Sequence, residues 1–205
     1  MDALADAGVE PPTCWEDLTK DCYQGMIVMA NPGATGTGVM CTSILFQLYG
    51  EEKAVDLITR IDKNVVQYVK TGSGTSNMVA LGEAAIGVGF LHTGLMYQAD
   101  GYDNIELFAP SDGTGYEVGG TAIIQGCKNL DSAKLFIEFA LTPECQEIGQ
   151  TVGALQFLTV EGAKDPESAQ AILDMGVNLI DYDSSWTGAN KDHLIDCWTK
   201  AVNSD

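Results

Sequence analysis

The chain has 205 residues, 45% of them hydrophobic, and carries 29 acidic against 10 basic residues. This length and composition predict a globular protein of one or two domains, and no apolar run approaches the roughly 18 residues needed to span a bilayer. The net charge of -19 repels nucleic-acid phosphates and anionic membranes, which excludes nucleic acid and direct membrane insertion from the expected interactions.

The first part of the chain predicts a short helix, a buried strand and a longer helix. Residues 13–18 begin with a capping threonine and acidic residues, which favours a helix that ends before Gly25. The compact apolar run 26–30 is typical of a buried strand. A glycine and threonine loop at 34–38 then leads into a helix over about 39–48.

The same order of strand, loop and helix occurs a second time. A helix over 51–63 precedes a strand at 65–69, and small residues at 71–76 form the next loop. A helix that ends near Gly82 and a strand at 85–90 follow. This alternation predicts an α/β fold with a mostly parallel sheet flanked by helices.

The second half of the chain predicts short strands, a glycine-rich turn and further helices. Strands are expected at 105–109, 120–124 and 177–180. The turn at 111–119 separates the first two, so the chain is expected to cross between two sheets there. The predicted helices cover 130–141, 143–150, 169–173 and 189–201.

The six cysteines contain no C-x-x-C pair, and neither histidine lies at zinc-finger spacing from them. This predicts no structural zinc site and no bound metal or cofactor. Local disulfides are possible between Cys14 and Cys22 and between Cys127 and Cys145, with isolated thiols as the alternative.

Two loops have the composition of an anion site at a helix N-terminus. Thr35, Gly36 and Thr37 precede the first long helix, where free backbone N–H groups and the helix dipole attract negative charge. Ser73 and Gly74 repeat this chemistry one strand later. Carboxyl ends of neighbouring parallel strands open into one crevice, so the two loops predict a shared ligand site; ordinary turn and capping roles are the alternative.

Two further residues are candidates for the same crevice. His92 follows the third strand, and Glu117 lies in the glycine-rich turn, where a carboxylate can accept hydrogen bonds from a ligand. A packed loop histidine and a solvated turn glutamate are the alternatives, and His193 is interpreted as a surface residue. No phosphate-binding P-loop, dinucleotide fingerprint or serine-nucleophile elbow is present, so no catalytic residue is predicted.

Several segments together resemble type II periplasmic binding proteins, in particular the ferric iron, phosphonate and sugar-phosphate group. The segments are 12–18 (PTCWEDL), 25–32 (GMIVMANP), 82–87 (GEAAIG), 127–139 (CKNLDSAKLFIEF) and 179–183 (LIDYD). The resemblance implies two α/β lobes that close on a ligand and then dock on the membrane permease of an ABC importer.

The resemblance also implies how this chain is divided between the lobes. Residues 13–111 and 162–205 correspond to lobe two, 112–119 to the hinge crossover and 120–158 to a remnant of lobe one. The start of the chain matches the passage from lobe one into lobe two, so most of lobe one and any signal segment are expected to precede it. The full-length form is expected in the periplasm or as a cell-surface lipoprotein.

The family's contact residues carry over unevenly. Thr35, Gly36 and Thr37 occupy the place of an anion-holding loop, and Ser73 falls near a second contact loop. Ferric binders have two tyrosines where this chain reads 90–93 (FLHT). Sugar-phosphate binders carry a His-Asp pair there and a later glutamate, which His92 and Glu117 match, whereas Thr93 departs from the aspartate.

The sequence therefore predicts a transport binding protein, not an enzyme, whose partners are a small organophosphate or phosphonate anion and ABC permease subunits. A ferric iron, thiamine or polyamine binder of the same family is the first alternative. A hydrolase using Cys41 or His92, and a docking module that binds no ligand, are the others.

Overall fold

A three-stranded parallel sheet forms the centre of the computed structural model, which describes residues 3–203. The strands are β1 (Ile27–Ala30), β2 (Val65–Val69) and β3 (Ile86–Val88), in the order β2-β1-β3. The central strand β1 pairs in parallel with both neighbours. The predicted α/β fold with a parallel sheet is confirmed, and all three carboxyl ends lie at one edge of the sheet.

Helices cover the sheet, and most predicted ones are confirmed to within a few residues. Among the helices of residues 3–203, none combines the length and apolar character that a bilayer crossing requires. The ten described α-helices are α1 (Ala3–Ala7), α2 (Gly36–Tyr49), α3 (Glu51–Asp62), α4 (Gly74–Ala80), α5 (Leu91–Ala99), α6 (Leu130–Ala140), α7 (Pro143–Thr151), α8 (Gln170–Asp174), α9 (Ser184–Ala189) and α10 (Lys191–Val202).

The main core lies between the sheet and helices α2, α3 and α10. Its fully buried side chains include Ile27, Leu45, Ile61 and Leu194. Each buried aliphatic side chain of this size contributes about 1.5–3 kcal/mol. The C-terminal helix α10 is therefore part of the same folding unit as the first strand.

Three predicted strands and one predicted helix are wrong. The segment expected to be helical from Thr13 forms two 3-10 turns, Glu16–Thr19 and Asp21–Tyr23. Residues 105–109 and 120–124 form no strand. The carbonyl oxygen of Ile105 accepts a hydrogen bond from the side chain of Gln98 at 2.8 Å instead of from a neighbouring strand.

The other two strand predictions fail because the segments lack a pairing partner. Ile124 is 81% exposed, so nothing in the described chain covers its segment. The strand expected at 177–180 is reduced to one parallel bridge between Leu179 and Thr114. Helices α1, α5 and α9 were not predicted; α9 is capped by Asp183, whose carboxylate accepts from the Trp186 amide at 2.7 Å.

The crossing segment is fixed to the body of the protein at its start. The indole N–H of Trp15 donates to the carbonyl oxygen of Gly113 at 2.9 Å. The Asp112 carboxylate accepts from the Trp15 amide and from the Tyr49 hydroxyl. Thr114 exchanges backbone hydrogen bonds with Asn178 and Ile180. The chain is thus anchored as far as Thr114.

The following helices, α6 and α7, contain no buried residue although both are long enough to pack against a core. Their segment presents a large apolar surface to solvent. Its exposed apolar side chains are Leu130, Leu135, Phe136, Phe139, Leu141, Ile148 and Val152. This amphipathic pair therefore has an apolar face that no other described part of the chain covers.

All six cysteines are free thiols. The possible pairings of Cys14 with Cys22 and of Cys127 with Cys145 do not form, and the alternative of isolated thiols describes the structure. Cross-links therefore contribute nothing to the stability of this fold.

Candidate functional site

The carboxyl ends of the three strands bring their loops into contact. The amide of Asn31, just after β1, donates to the carbonyl oxygen of Val69 at the end of β2 at 2.9 Å. A side chain on Gly72 would collide with the Thr37 hydroxyl, so the first and second loops touch. A side chain on Gly89, just after β3, would lie 2.6 Å from the Thr75 hydroxyl. One crevice edge therefore collects all three loops.

The first loop is held in shape by Asn31 and Thr35. The Thr35 hydroxyl accepts from the Gly38 amide at 2.9 Å and donates to the Asn31 carbonyl oxygen at 3.3 Å. The Thr35 amide also donates to that oxygen, at 3.0 Å. Both donors of Thr35 are therefore used inside the loop, and this residue acts as the N-cap of α2.

Gly36 and Thr37 are the residues that present free donors at this loop. Their amides precede the first hydrogen bond of α2, and neither has an acceptor within residues 3–203. The Thr37 hydroxyl likewise has no hydrogen-bond partner in that range, although the residue is only 8% exposed. An anionic oxygen placed here meets two N–H groups, a hydroxyl and the positive end of a 14-residue helix.

The second loop offers fewer donors. Ser73 is exposed, and its hydroxyl makes no capping bond at the start of α4. The Gly74 amide is already used, since it donates to the carbonyl oxygen of Thr71 at 3.2 Å. Thr75 is buried, and its hydroxyl points back towards the Gly72 carbonyl oxygen. The Ser73 hydroxyl is therefore the group of this loop that is available to a ligand.

His92 lies in the first turn of α5, three residues after Gly89. Its ring stacks on Phe90, with 5.4 Å between ring centroids. Burial lowers the pKa of His92 below its usual 6.5, so the ring is neutral at pH 7. A neutral imidazole offers one donor and one acceptor. Thr93 has a supporting role, because its hydroxyl and amide both donate to the Phe90 carbonyl oxygen, at 2.7 and 3.1 Å.

Glu117 is not brought to the crevice by any contact in the described chain. It is exposed and lies beyond the anchored part of the crossing segment, in a stretch without helix or strand. The structure thus assembles Thr35, Gly36, Thr37, Ser73 and Gly74 around one edge, with His92 and Thr93 following β3. Glu117 remains apart from them.

The sequence did not reveal that Asn31 organises the first loop, or that the Thr75 hydroxyl turns inward in the second. Asn31 also accepts from the Gly33 amide at 2.8 Å through its side chain. The signal was a polar residue directly after a strand end. Asn77 was missed as well; its side-chain amide donates to the Tyr97 hydroxyl at 3.0 Å and joins α4 to α5 at the exposed rim.

A separate, largely apolar cavity of about 320 Å³ lies along β3. It is lined by Trp15, Leu18, Ile86, Val88 and Ile105, among others. None of the eight predicted site residues lines this cavity. Its apolar walls distinguish it from the crevice, although Gly89 and Phe90 of the third loop line its end.

Two curated proteins are similar to this chain over most of its length. An uncharacterized protein of Haemophilus influenzae is 40% identical over 97% of this chain and 58% of its own length. The phosphoglycerate transport regulatory protein PgtC of Salmonella typhimurium is 26% identical over 71% of this chain and 36% of its own. The chain therefore spans well under two thirds of these curated relatives.

A solved structure shows the same fold. The periplasmic binding protein AfuA from Actinobacillus pleuropneumoniae, solved with exogenous fructose-6-phosphate bound, is 37% identical, with a TM-score of 0.91 over 98% of this chain and 64% of AfuA. The fold is thus that of a periplasmic binding protein. Residues 2–171 match the model of the family described as bacterial extracellular solute-binding protein. The chain belongs to the bacterial extracellular solute-binding protein family.

Proposed function

We propose that this chain is a ligand-gripping lobe of an ABC importer's substrate-binding protein and captures a small organophosphate or phosphonate. The observation that supports this most directly is the pair of free amides at Gly36 and Thr37, beside the unpaired Thr37 hydroxyl. These donors converge at the N-terminus of a long helix, where the dipole favours an anion.

Each crevice residue has a distinct role in this proposal. Gly36 and Thr37 hold the anionic head, and Ser73 donates from the second loop while Gly74 lets the backbone approach closely. His92 contacts the rest of the ligand through its neutral ring. Thr35 supports the first loop as the N-cap of α2, and Thr93 supports the start of α5 through its hydrogen bond to the Phe90 carbonyl oxygen. Glu117 reaches the ligand from the hinge when the two lobes close.

The division into lobes is part of the same proposal. Residues 13–111 and 162–205 form lobe two, 112–119 form the hinge crossover and 120–158 belong to lobe one. The anchoring of Asp112 and Gly113 to Trp15 supports a crossover that starts at a fixed point. The uncovered apolar face of α6 and α7 supports a segment that normally packs within another lobe.

The ligand class is supported by the chain's relatives. AfuA was solved with fructose-6-phosphate, and PgtC is named for phosphoglycerate transport. Both compounds carry a phosphate monoester, which matches the donor set at Gly36 and Thr37. We extend this class to the present chain, which then works in the periplasm or at the cell surface and delivers its ligand to ABC permease subunits.

The alternatives receive less support from the site. Ferric binders hold iron through two tyrosines at the place where this chain reads 90–93 (FLHT), so the paired phenolates are missing here. Catalysis by Cys41 is disfavoured because desolvation raises the pKa of its thiol to about 12, so the nucleophilic thiolate is scarce near neutral pH. The chain is proposed to bind its ligand without turnover.

Calorimetric titration tests the proposed ligand class. Fructose 6-phosphate, 2-aminoethylphosphonate and Fe³⁺ are titrated separately into the chain and into its Thr37→Val variant. Because one lobe supplies only part of the contacts, we expect a dissociation constant on the order of 1 mM, or about 4 kcal/mol, for a phosphate or phosphonate. Thr37→Val should weaken binding of the phosphate or phosphonate, whereas the control Thr199→Val, at an exposed position, should not. Heat from Fe³⁺ alone would reject the proposal.

A further inference from the structure

Three metal-ligating side chains converge away from the crevice, where α3 begins and α10 passes over it. Glu51 opens α3, and His193 and Cys197 lie one turn apart on α10. His193 Nε2 is 3.0 Å from Glu51 Oε2 and 3.6 Å from Cys197 Sγ. Cys197 Sγ is 3.9 Å from Glu51 Oε1. A carboxylate, an imidazole and a thiol therefore share one small volume.

The cluster is compact enough to surround a single zinc ion. Donor atoms bonded to tetrahedral Zn²⁺ at about 2.0–2.3 Å lie roughly 3.3–3.6 Å from one another. The 3.6 Å between His193 Nε2 and Cys197 Sγ falls in that range, and with one donor atom taken from each residue all three atoms lie within 4.8 Å of one another. Within residues 3–203, no other three such side chains come as close together. Thiolate and imidazole are the ligands that zinc prefers.

The surrounding structure holds the ligands in place. Residues four apart on a helix lie on the same face, so α10 presents His193 and Cys197 together. The His193 ring lies edge-on to buried Phe46, with centroids 6.5 Å apart. Leu194, between them in sequence, is fully buried against the core and fixes the rotation of α10. Glu51 and His193 remain partly exposed, which leaves a path for an ion from solvent.

We propose that Glu51, His193 and Cys197 form a Zn²⁺ site with three protein ligands and an open fourth position. A bound ion joins the start of α3 to α10 and so stabilises the folded lobe. Glu51 lies 142 positions before His193, so no local spacing in the sequence reveals the set. The site is separate from the crevice and does not depend on the proposed ligand.

Zinc binding to the chelator-treated chain tests this assignment. Competition titration with Zn²⁺ should give one ion per chain, and Cys197→Ser or His193→Gln should weaken binding by more than about tenfold. With Co²⁺ in place of Zn²⁺, the wild-type chain should show a thiolate-to-cobalt absorption band and Cys197→Ser should not. The matched control is Cys22→Ser, which removes an exposed thiol outside the cluster.

The outcomes distinguish a specific zinc site from non-specific binding of zinc by free thiols. Unchanged affinity in Cys22→Ser with a large loss in Cys197→Ser supports the site. Equal losses in the two variants, or no stoichiometric binding by the wild type, would overturn it. Circular dichroism checks that each variant is folded. If Cys197→Ser does not fold, the variant Glu51→Gln at an exposed position replaces it and should also weaken Zn²⁺ binding by more than about tenfold.

Discussion

At the scale of single residues, buried hydroxyl groups form hydrogen bonds that join α2 to α9. The Ser43 and Thr187 hydroxyl oxygens are 2.6 Å apart, and Ser43 has no exposed surface. The side chain of Gln47 donates to both hydroxyls at 3.0 Å, and Thr187 also lies 3.0 Å from the Tyr182 hydroxyl. This network connects the helix that begins at the first loop with α9.

Replacing Thr187 with valine keeps the side-chain shape but removes the central hydroxyl of this network. The buried Ser43 hydroxyl then loses a partner, so we expect the free energy of unfolding to fall by about 1–3 kcal/mol. Urea denaturation measures this change. The control Thr199→Val, on the exposed face of α10, should stay within about 0.5 kcal/mol of wild type. Equal effects in the two variants would contradict the role given to the network.

His92 makes the stability of the chain depend on pH. Burial lowers the pKa of His92 below its usual 6.5, so in the acid range the unfolded chain takes up this proton before the folded chain does. The stability contributed by the neutral ring is therefore complete above the unfolded pKa and is lost as pH falls through the folded one.

The variant His92→Gln isolates this contribution. Urea unfolding at pH 7.5 and pH 5.5 should show a smaller loss of stability on acidification in the variant than in wild type. His193→Gln, assayed with chelator present, controls for the other histidine. If wild type and His92→Gln lose stability equally over this interval, the buried neutral ring is not responsible.

At the scale of elements, two glycines of the first loop differ sharply in the space around them. A side chain on Gly38 would lie 2.6 Å from the Ala30 carbonyl oxygen and would also meet the backbone of Asn31 and Pro32. Gly36 has open space on that side and a negative φ. Gly38 is therefore required for the packing of α2 against β1, whereas the space beside Gly36 is open.

The two glycines give a paired prediction. Gly38→Ala should lower the unfolding free energy by about 1–3 kcal/mol because the loop must move. Gly36→Ala should leave stability unchanged or raised by up to about 1 kcal/mol, yet weaken anion binding because the methyl group crowds the free amides. Thermal unfolding and ligand titration on both variants check this. A large stability loss in Gly36→Ala would contradict the assignment.

Local sequence patterns predicted the helices and loops that are determined by residues close together in the chain. The apolar positions Ala54, Leu57, Ile58 and Ile61 at helical spacing located α3, and the glycine and threonine loops located the crevice. The strands expected at 105–109 and 120–124 depended on distant pairing partners, which no local pattern specifies. Residues 91–99 gave no amphipathic signal, and α5 was missed.

The sequence predicted that the two small-residue loops lie at one edge of the sheet, but not which of their donors are free. The hydroxyls of Thr35 and Thr93 are taken up by hydrogen bonds within their own loops, and the sequence does not show these bonds. Glu51, His193 and Cys197 are brought together by tertiary packing of α3 and α10. The contribution of Glu117 remains a prediction.

The surface of the whole molecule combines a strong negative charge with a localised apolar face. The net charge is -19, while α6 and α7 expose Leu135, Phe136 and Ile148. Apolar patches of this kind promote association, and charge repulsion opposes it at low salt. The balance between the two should therefore depend on ionic strength.

This balance predicts reversible self-association through α6 and α7. Sedimentation velocity should show a concentration-dependent shift towards larger species that increases with salt. The double variant Leu135→Asp and Phe136→Asp should abolish the shift. Leu173→Asp, which changes an equally exposed leucine on α8, should not. Association that persists in the double variant would place the contact elsewhere.

The proposed function requires the crevice at the ends of β1, β2 and β3 to hold a phosphate-bearing anion. Titration of ¹⁵N-labelled chain with fructose 6-phosphate, followed by amide NMR shifts, tests this directly because it detects weak binding residue by residue. We expect saturable shifts centred on Gly36, Thr37 and Ser73, with His92 also affected. Saturation without shifts at these residues, or no response at concentrations of tens of millimolar, would contradict it.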